Sequence, residues 1–289
     1  MNLFDIEDAA RLLPYRPADG HKGTFGKVCV IGGSVGYTGA PVMSATGAQR
    51  CGSGLVFLAV PESIYQITAS RCLEVMPFPV TGHNGRISNE AFDVILDKAE
   101  GCDAVLIGPG LGRSIEISTL VCRLIEHITK PLVLDADALY AVKDDKNLLV
   151  ERADKRLVTV ITPHEGEFAY LDGDISGGRR QGALAFAEKY GCVTVLKGPA
   201  TVTAYQDGRV YINTTGNNGM AKGGSGDILA GMTLSFLGQG MDCVEAAALA
   251  VFIHGLAGDI AARKYSEYAM LPSDILSCIP DAFLKIQAV

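Results

Sequence analysis

The strongest chemical signal in this chain is one glycine-rich segment, GMAKGGSGDILAG, at residues 219–231. The apolar pattern that follows its turn predicts a helix over residues 227–237. A glycine turn at a helix N-terminus presents free N–H groups and the positive end of the helix dipole, and together these form an anion site. The residues of this predicted anion hole are Gly223, Gly224, Ser225 and Gly226.

Asp227 lies at the entrance of this turn. A carboxylate in that place can take a proton from a hydroxyl group while the turn binds a transferring phosphoryl group. This arrangement favours phosphoryl transfer with Asp227 as the catalytic base. The alternative is a structural turn in which Asp227 serves as an N-cap or as a first-turn partner of the helix dipole.

A second polar segment, TPHEGEF at residues 162–168, has the pattern of a capping box. The pattern predicts Thr162 as the N-cap, Pro163 as the first helical residue and Glu165 as the third. It leaves His164 unexplained, although this residue projects near the end of a predicted strand. Contact with a ligand and a purely local role remain equal alternatives for His164.

Several other polar or glycine-rich positions also follow predicted strands. Asp135 and Asp137 either hold a metal ion through water or cap the next helix, and capping is the favoured interpretation. Lys197 ends an apolar run and can reach a phosphate, whereas His254 in an alanine-rich pattern is interpreted as a packed structural residue. The loops GGSVGYTGAP and GPGLG either admit a ligand close to the backbone or simply turn the chain.

These positions need a scaffold of strands alternating with helices. Continuous apolar runs are typical of strands buried on both faces, and six of them predict strands at residues 27–31, 55–60, 104–107, 131–135, 158–162 and 193–197. Helical patterns occupy residues 40–51, 114–128, 180–190, 227–237, 244–263 and 274–287, and a hairpin with an Asp-Gly turn is predicted at 201–212. The order predicts an α/β fold with a mostly parallel sheet and helices on both faces, in which ligands bind at the carboxyl ends of the strands.

Composition excludes several classes of protein. With 25 basic and 32 acidic residues the net charge is −7, which makes nucleic acid a poor partner. The eight cysteines are spread singly with no CxxC motif and are interpreted as free thiols. The first residues resemble no signal peptide, and the longest apolar runs are shorter than the roughly 20 residues that span a bilayer. We therefore expect a cytoplasmic protein that does not bind membranes.

Taken together, the motifs resemble the ribokinase-like superfamily and, within it, the ADP/ATP-dependent NAD(P)H-hydrate dehydratases. The segments that carry the resemblance are GKVCVIGGSVGYTGAP, AVLIGPGLG, PLVLDADAL, TPHEGEF, VLKGPATV, GNNGMAKGGSGDILAG and HGLAGD. They extend from about residue 26 to 274 and are specific in their order and spacing. The resemblance implies a three-layer ribokinase-like sandwich and a single catalytic domain over residues 1–289.

The resemblance also implies a reaction. A nucleotide would phosphorylate the hydroxyl that water addition leaves on the nicotinamide ring of the S epimer of hydrated NADH or NADPH, and elimination of phosphate would restore the cofactor. The residues implied for the hydrated dinucleotide are Ala40, Gly110, His164 and Asp227. Those implied for the adenine nucleotide are Lys197, Gly198, Pro199, Ala200, Thr201 and Gly226.

The resemblance implies Mg2+ as the cofactor and ADP (or ATP) as the phosphoryl donor, with AMP and phosphate as products. It also implies that the protein is a homotetramer and that a separate epimerase supplies the S epimer. The pattern departs from the family at two positions, where Asn218 and Ser225 replace the usual Pro and Thr. Ser225 keeps the hydroxyl group, whereas Asn218 is expected to loosen its loop.

Two other functions use the same features. A ribokinase-like kinase of a vitamin precursor, such as a hydroxymethylpyrimidine or hydroxyethylthiazole, would share the anion hole and the base but retain phosphate on its product. TPHEGEF and GPGLG favour the dehydratase over this kinase. A nucleotide sensor without turnover is the third alternative, and Asp227 argues against it.

Overall fold

The computed structural model describes residues 3–289, and its frame is a large twisted sheet. The strands are β1 (Leu3–Phe4), β2 (Lys27–Ile31), β3 (Leu55–Pro61), β4 (Met76–Val80), β5 (Gly82–His83), β6 (Arg86–Ile87), β7 (Ala104–Ile107), β8 (Leu132–Leu134), β9 (Thr159–Ile161), β10 (Val193–Leu196), β11 (Val202–Ala204) and β12 (Val210–Asn213). Ten of them form one sheet in the order β1-β12-β11-β10-β9-β8-β7-β2-β3-β4, and β5 pairs with β6 alone.

The parallel part of this sheet confirms the sequence pattern. From β4 to β10 every neighbouring pair is parallel, whereas β11 is antiparallel to both β10 and β12. All six predicted strands are present with ends within one residue of the prediction. The predicted hairpin is also present, as β11 and β12 joined through Asp207 and Gly208.

Helices cover both faces of the sheet. They are α1 (Ile6–Leu12), α2 (Gly39–Arg50), α3 (Glu62–Ala69), α4 (Phe92–Glu100), α5 (Ile115–His127), α6 (Asp137–Val142), α7 (Asn147–Asp154), α8 (Glu165–Tyr170), α9 (Arg179–Tyr190), α10 (Ser225–Gly238), α11 (Cys243–Ala269) and α12 (Pro272–Gln287). The apolar residues of α2, α10, α11 and α12 form one core, and those of α4, α5, α6 and α9 form the other.

The alternation of side chains along each strand supplies both cores at once. In β2, Val28 and Val30 belong to the first core, while Cys29 and Ile31 belong to the second. Successive residues of a strand point to opposite faces, so a strand between two helical layers must be apolar at every position. This explains why the strands appear in the sequence as unbroken apolar runs.

Helix α11 is long and apolar enough, by length and composition alone, to cross a membrane. Its most apolar window has a mean hydropathy of 1.6, but 83% of that window is buried inside the fold. It packs between α10 and α12 as part of the first core. The apolar character of α11 is therefore accounted for by its central position.

Candidate active site

A cavity of about 820 Å³ lies at the carboxyl ends of β8, β9 and β10. Its other wall is the N-terminus of α10 together with the loop that follows β12. The predicted site residues that line it are His164, Lys197, Gly198, Pro199, Ala200, Thr201, Gly223, Gly224, Ser225, Gly226 and Asp227. Segments far apart in the sequence thus meet at the edge of the sheet where ligands of such folds bind.

The turn before α10 has the geometry expected of an anion site. Gly224 is the N-cap residue, with φ of 107°, a conformation that favours glycine. No side chain caps the helix there; the N–H of Ser225 donates to the carbonyl oxygen of Lys222 at 3.2 Å, and the next N–H groups of the first turn, those of Gly226 and Asp227, have no capping side chain. A Cβ atom built on Gly223 would meet nothing within 4 Å, which shows open space in front of the turn. The predicted turn and helix are confirmed.

Asp227 lies within the first turn of α10 and faces a crowded set of charges. The alternative in which it is the N-cap is wrong, because Gly224 holds that position. Burial, together with the nearby carboxylates of Asp135, Asp137 and Glu167, raises the pKa of Asp227 from 3.8 to about 7, against the opposing charge of Lys197. A carboxyl group with a pKa near neutrality both accepts and releases a proton readily, as a general base requires.

Lys197 supplies the positive charge beside this carboxyl group. Its Nζ lies 2.9 Å from Oδ1 of Asp135 and 3.7 Å from Oε2 of Glu167. A Cβ atom built on Gly226 would lie 3.2 Å from the same Nζ, so the ammonium group is close to the anion turn. Burial acts to lower the pKa of Lys197, but these carboxylates prevail and raise it above its ordinary value.

His164 is the N-cap of α8, and this corrects the predicted capping box. Its Nδ1 accepts a hydrogen bond of 3.0 Å from the backbone N–H of Glu167, and the Glu167 carboxylate accepts one of 2.9 Å from the backbone N–H of His164. The box is therefore shifted by two residues from the predicted Thr162 and Glu165. The hydroxyl of Thr162 instead donates to Oδ1 of Asp135 at 2.7 Å.

This role orients the histidine ring for a second contact. Because Nδ1 accepts, the neutral ring carries its proton on Nε2, and the His164 side chain is 60% exposed. The ring therefore offers an N–H donor at the cavity. The local role of His164 is confirmed, and its contact with a ligand stays a prediction.

Two residues of the site carried no clear signal in the sequence. His254 is buried as predicted, but its Nε2 lies 3.3 Å from Oγ of Ser225 and its ring lines the cavity. Burial lowers the pKa of His254 to about 4, so the ring is neutral. Arg179 on α9 donates to the carbonyl oxygens of Leu196, at 2.9 Å, and Pro199, and so holds the loop of residues 197–201 in place.

Ala40 and Gly110 do not line this cavity. Ala40 lies in the first turn of α2, after β2, and Gly110 lies on the loop after β7; a Cβ atom built on Gly110 would be 3.3 Å from Cβ of Ala40. The two loops are joined by a hydrogen bond of 2.8 Å from Oγ of Ser34 to the carbonyl oxygen of Gly110. The pair therefore forms a second region at the same edge of the sheet, adjacent to Asp135 through the close approach of Gly108.

The two aspartates of LDADAL have roles other than capping, so that interpretation is wrong. Asp135 binds Lys197 and Thr162, and Asp137 accepts from the N–H of Gly112 at 2.8 Å and from Arg113 at 2.9 Å. Neither caps α6, whose N-cap residue is Ala136. Within residues 3–289 no three His, Cys, Asp or Glu side chains are grouped to hold a metal ion.

The segment around Asn218 is held by neighbouring residues. Residues Asn218–Met220 form a short 3-10 helix, and the side chain of Asn217 accepts from the N–H of Gly219. The carboxylate of Asp259, from the HGLAGD motif, accepts hydrogen bonds from Asn217 and from the N–H of Gly216. Asn218 thus lies in a segment that α11 fixes against the cavity.

A three-layer α/β fold with an anion turn at the carboxyl edge of its sheet defines a ribokinase-like protein. Solved structures agree: the ADP/ATP-dependent NAD(P)H-hydrate dehydratase of Bacillus subtilis, co-crystallized with ATP/Mg2+, superposes with a TM-score of 0.82 at 27% identity, covering 99% of this chain and 98% of that one. A hydroxyethylthiazole kinase from Pyrococcus horikoshii superposes with a TM-score of 0.60 over 98% of this chain and 93% of that one, but its 16% identity shows the fold alone.

Sequence comparison gives the family. A family model described as NAD(P)H-hydrate dehydratase matches residues 28–281. The bifunctional NAD(P)H-hydrate repair enzyme Nnr of Moorella thermoacetica is 42% identical over 93% of this chain, and that of Escherichia coli is 36% identical over 96%. This chain belongs to the NAD(P)H-hydrate dehydratase family. It spans about half the length of these curated relatives, covering 51% of each.

Proposed function

We propose that this protein dehydrates the S epimer of hydrated NADH and NADPH at the expense of a nucleotide, with ADP as the preferred donor. The observation that carries the proposal is Asp227, whose pKa near 7 places a base in the first turn of α10, next to an open anion turn. Family membership supports the substrate, and the Bacillus subtilis structure with ATP/Mg2+ supports a nucleotide.

The geometry supports two successive steps. In the first, Asp227 takes the proton of the ring hydroxyl, whose oxygen attacks the terminal phosphorus of ADP while the bond to AMP breaks. The turn of residues 223–226 and the ammonium group of Lys197 bind the transferring phosphoryl group. In the second, phosphate leaves the ring together with a proton from the neighbouring carbon, and the double bond of the reduced nicotinamide is restored.

We include Mg2+ in the proposal because the phosphoryl donor is a nucleotide with charged phosphates. When bound, it would neutralise charge on the nucleotide phosphates. Because the described residues provide no cage of three ligands, the ion would be held chiefly by those phosphates and by water. We also propose that an epimerase activity supplies the S epimer and that the protein is cytoplasmic. We further propose a homotetramer, and light scattering on the purified protein would check this assembly state.

The test is a turnover assay. Purified protein is mixed with hydrated NADPH, Mg2+ and either ADP or ATP, and the near-ultraviolet absorbance of the reduced nicotinamide is followed. We expect the absorbance to rise with ADP. A rise only with ATP would keep the reaction and change the donor, while no rise with either, in protein that binds nucleotide, would contradict the proposal. Phosphorylation of a hydroxyethylthiazole or hydroxymethylpyrimidine in its place would identify a kinase.

A further inference from the structure

The hairpin formed by β5 and β6 lies beside the Ala40–Gly110 region. It follows β4, the edge strand, and leaves the sheet at the same carboxyl edge as the loops after β2 and β7. The N–H of Val35, on the loop after β2, donates to the carbonyl oxygen of Gly85 at 2.8 Å. The hairpin therefore forms an outer wall of this region.

Arg86 on β6 extends from this wall toward the loop after β7. A Cβ atom built on Gly112 would lie 2.6 Å from Nε of Arg86 and 3.5 Å from Oγ of Ser34. A larger residue at position 112 would therefore displace the Arg86 side chain. The same Ser34 donates to the carbonyl oxygen of Gly110, so Arg86 is close to the Ala40–Gly110 pair.

The charge of Arg86 is not balanced by the protein. Residue Arg86 is partly buried, and within residues 3–289 its side chain forms no salt bridge and no hydrogen bond. Its neighbours are paired: Arg113 binds Asp137 at 2.9 Å, and His83 lies 3.5 Å from Glu90. A guanidinium group with five N–H donors and no protein partner is well suited to a planar or tetrahedral anion.

The surroundings narrow the chemistry of that anion. Val35 and Tyr37 on the adjacent loop are each 62% exposed, and a Cβ atom built on Gly110 would lie 3.0 Å from Cβ of Tyr37. An exposed apolar and aromatic surface beside an unpaired cation fits a ligand that joins a flat ring to a phosphate. A dinucleotide has this composition.

We propose that Arg86 binds a phosphate group of the dinucleotide substrate and so contributes to substrate specificity. The inference rests on the proposed function and deepens it. Two phosphates are candidates with the same chemistry: the pyrophosphate that hydrated NADH and hydrated NADPH share, and the 2′-phosphate that only hydrated NADPH carries.

The experiment compares Arg86→Ala and Arg86→Lys with the wild type, using hydrated NADH and hydrated NADPH at saturating ADP. We expect Arg86→Ala to raise the KM for the dinucleotide roughly tenfold or more, as loss of a charge-assisted contact requires, with little change in kcat. Arg86→Lys keeps the charge and should recover part of the loss. Arg71→Ala, which removes an exposed arginine just after α3, is the matched control.

A comparison of the KM values for hydrated NADH and hydrated NADPH shows which of the two phosphates Arg86 binds. A rise in KM for both identifies the pyrophosphate, and a rise for hydrated NADPH alone identifies the 2′-phosphate. An unchanged KM for both, or a loss confined to kcat, would overturn the proposal. An unchanged KM for ADP in Arg86→Ala shows that the variant has kept its fold.

A binding measurement tests the role of Arg86 independently of the proposed reaction. Calorimetric titration of NAD+ and NADP+ into the same variants needs no turnover. If the wild type turns over no substrate, the proposed function fails, and the titration alone then tests whether Arg86 binds the dinucleotide. Equal affinities of the wild type and Arg86→Ala would contradict the proposal for Arg86.

Discussion

Two cations, Arg152 and Lys197, show how differently one fold can use a positive charge. Arg152 on α7 is 2% exposed and makes its hydrogen bonds to neutral acceptors. These acceptors are the carbonyl oxygens of Ile125, Ile128, Lys130 and Val158 and the hydroxyl of Thr159. Burial lowers the pKa of Arg152 to about 10, and no nearby carboxylate compensates for it fully.

Lys197 is surrounded by carboxylates instead. Asp135, Glu167 and Asp227 all raise its pKa, and its ammonium group lies close to Gly226 at the open end of the cavity. Arg152 joins the end of α5 and the start of β9 through fixed carbonyl groups and so acts as a structural clamp. Lys197 takes part in a set of charges that a bound phosphoryl group and a proton can redistribute. The structural cation is bound to neutral acceptors, whereas the functional one is bound to carboxylates.

The largest effect we expect comes from removing the carboxylate of Asp227, the proposed base beside Lys197. Asp227→Asn keeps the size of the side chain but cannot accept the proton of the ring hydroxyl. We expect kcat to fall roughly a thousandfold, within the range typical of a lost general base. The measurement is the near-ultraviolet turnover assay, with circular dichroism to show that the fold survives. Turnover close to that of the wild type would remove Asp227 from the mechanism.

The two cations themselves provide the next test, since the same substitution should give opposite results. Lys197→Met removes a charge that binds the phosphoryl group, and we expect a loss of roughly a hundredfold in kcat/KM for ADP. Arg152→Met leaves its buried acceptors without donors, and we expect a loss of about 3 kcal/mol in the free energy of unfolding with turnover per folded molecule retained.

Each variant serves as the control for the other. Thermal and urea unfolding are measured beside steady-state kinetics for both proteins. If Lys197→Met lost only stability, or if Arg152→Met lost turnover while folded, the distinction between the two cations would be wrong.

The scaffold could be predicted further than the site because its signal is local. Strands such as β2 and β7 appear as continuous apolar runs, and a cluster of glycines in the sequence marks the turn before α10. The hairpin of β5 and β6 was missed because two-residue strands have no periodicity to detect. The ends of long side chains are equally hidden: that Arg152 reaches five acceptors, or that Arg179 holds the loop of residues 197–201, depends on tertiary packing.

His164 illustrates the same limit at a shorter range. The segment TPHEGEF contains two overlapping capping boxes, and residue preference favours the one that begins at Thr162. The structure uses the other, because Thr162 is drawn to Asp135 at the end of β8. A long-range contact thus decided a local choice, and with it the direction of the His164 ring.

The smallest effect concerns pH, and it distinguishes Asp227 from an ordinary surface carboxylate. The base must be ionised, so kcat should fall about tenfold per pH unit below the pKa of about 7 and level off above it. Because Lys197 lowers this pKa, the acidic limb of the kcat–pH profile, where kcat falls, should move to higher pH in Lys197→Met. An acidic limb at the same pH in both proteins would show that Lys197 does not lower the pKa of Asp227.

Stability should change in the opposite sense over the same range. Burial raises the pKa of Asp227 from 3.8 to about 7, so between these values the folded protein holds a proton that the unfolded chain has released. This group therefore costs stability progressively as the pH rises through that window. Asp227→Asn removes the cost, so its Tm relative to the wild type should increase by a few degrees from pH 4 to pH 8. A constant difference in Tm would mean that the carboxylate is paired or solvated in the folded protein, and the kinetic limb near pH 7 would then need another group.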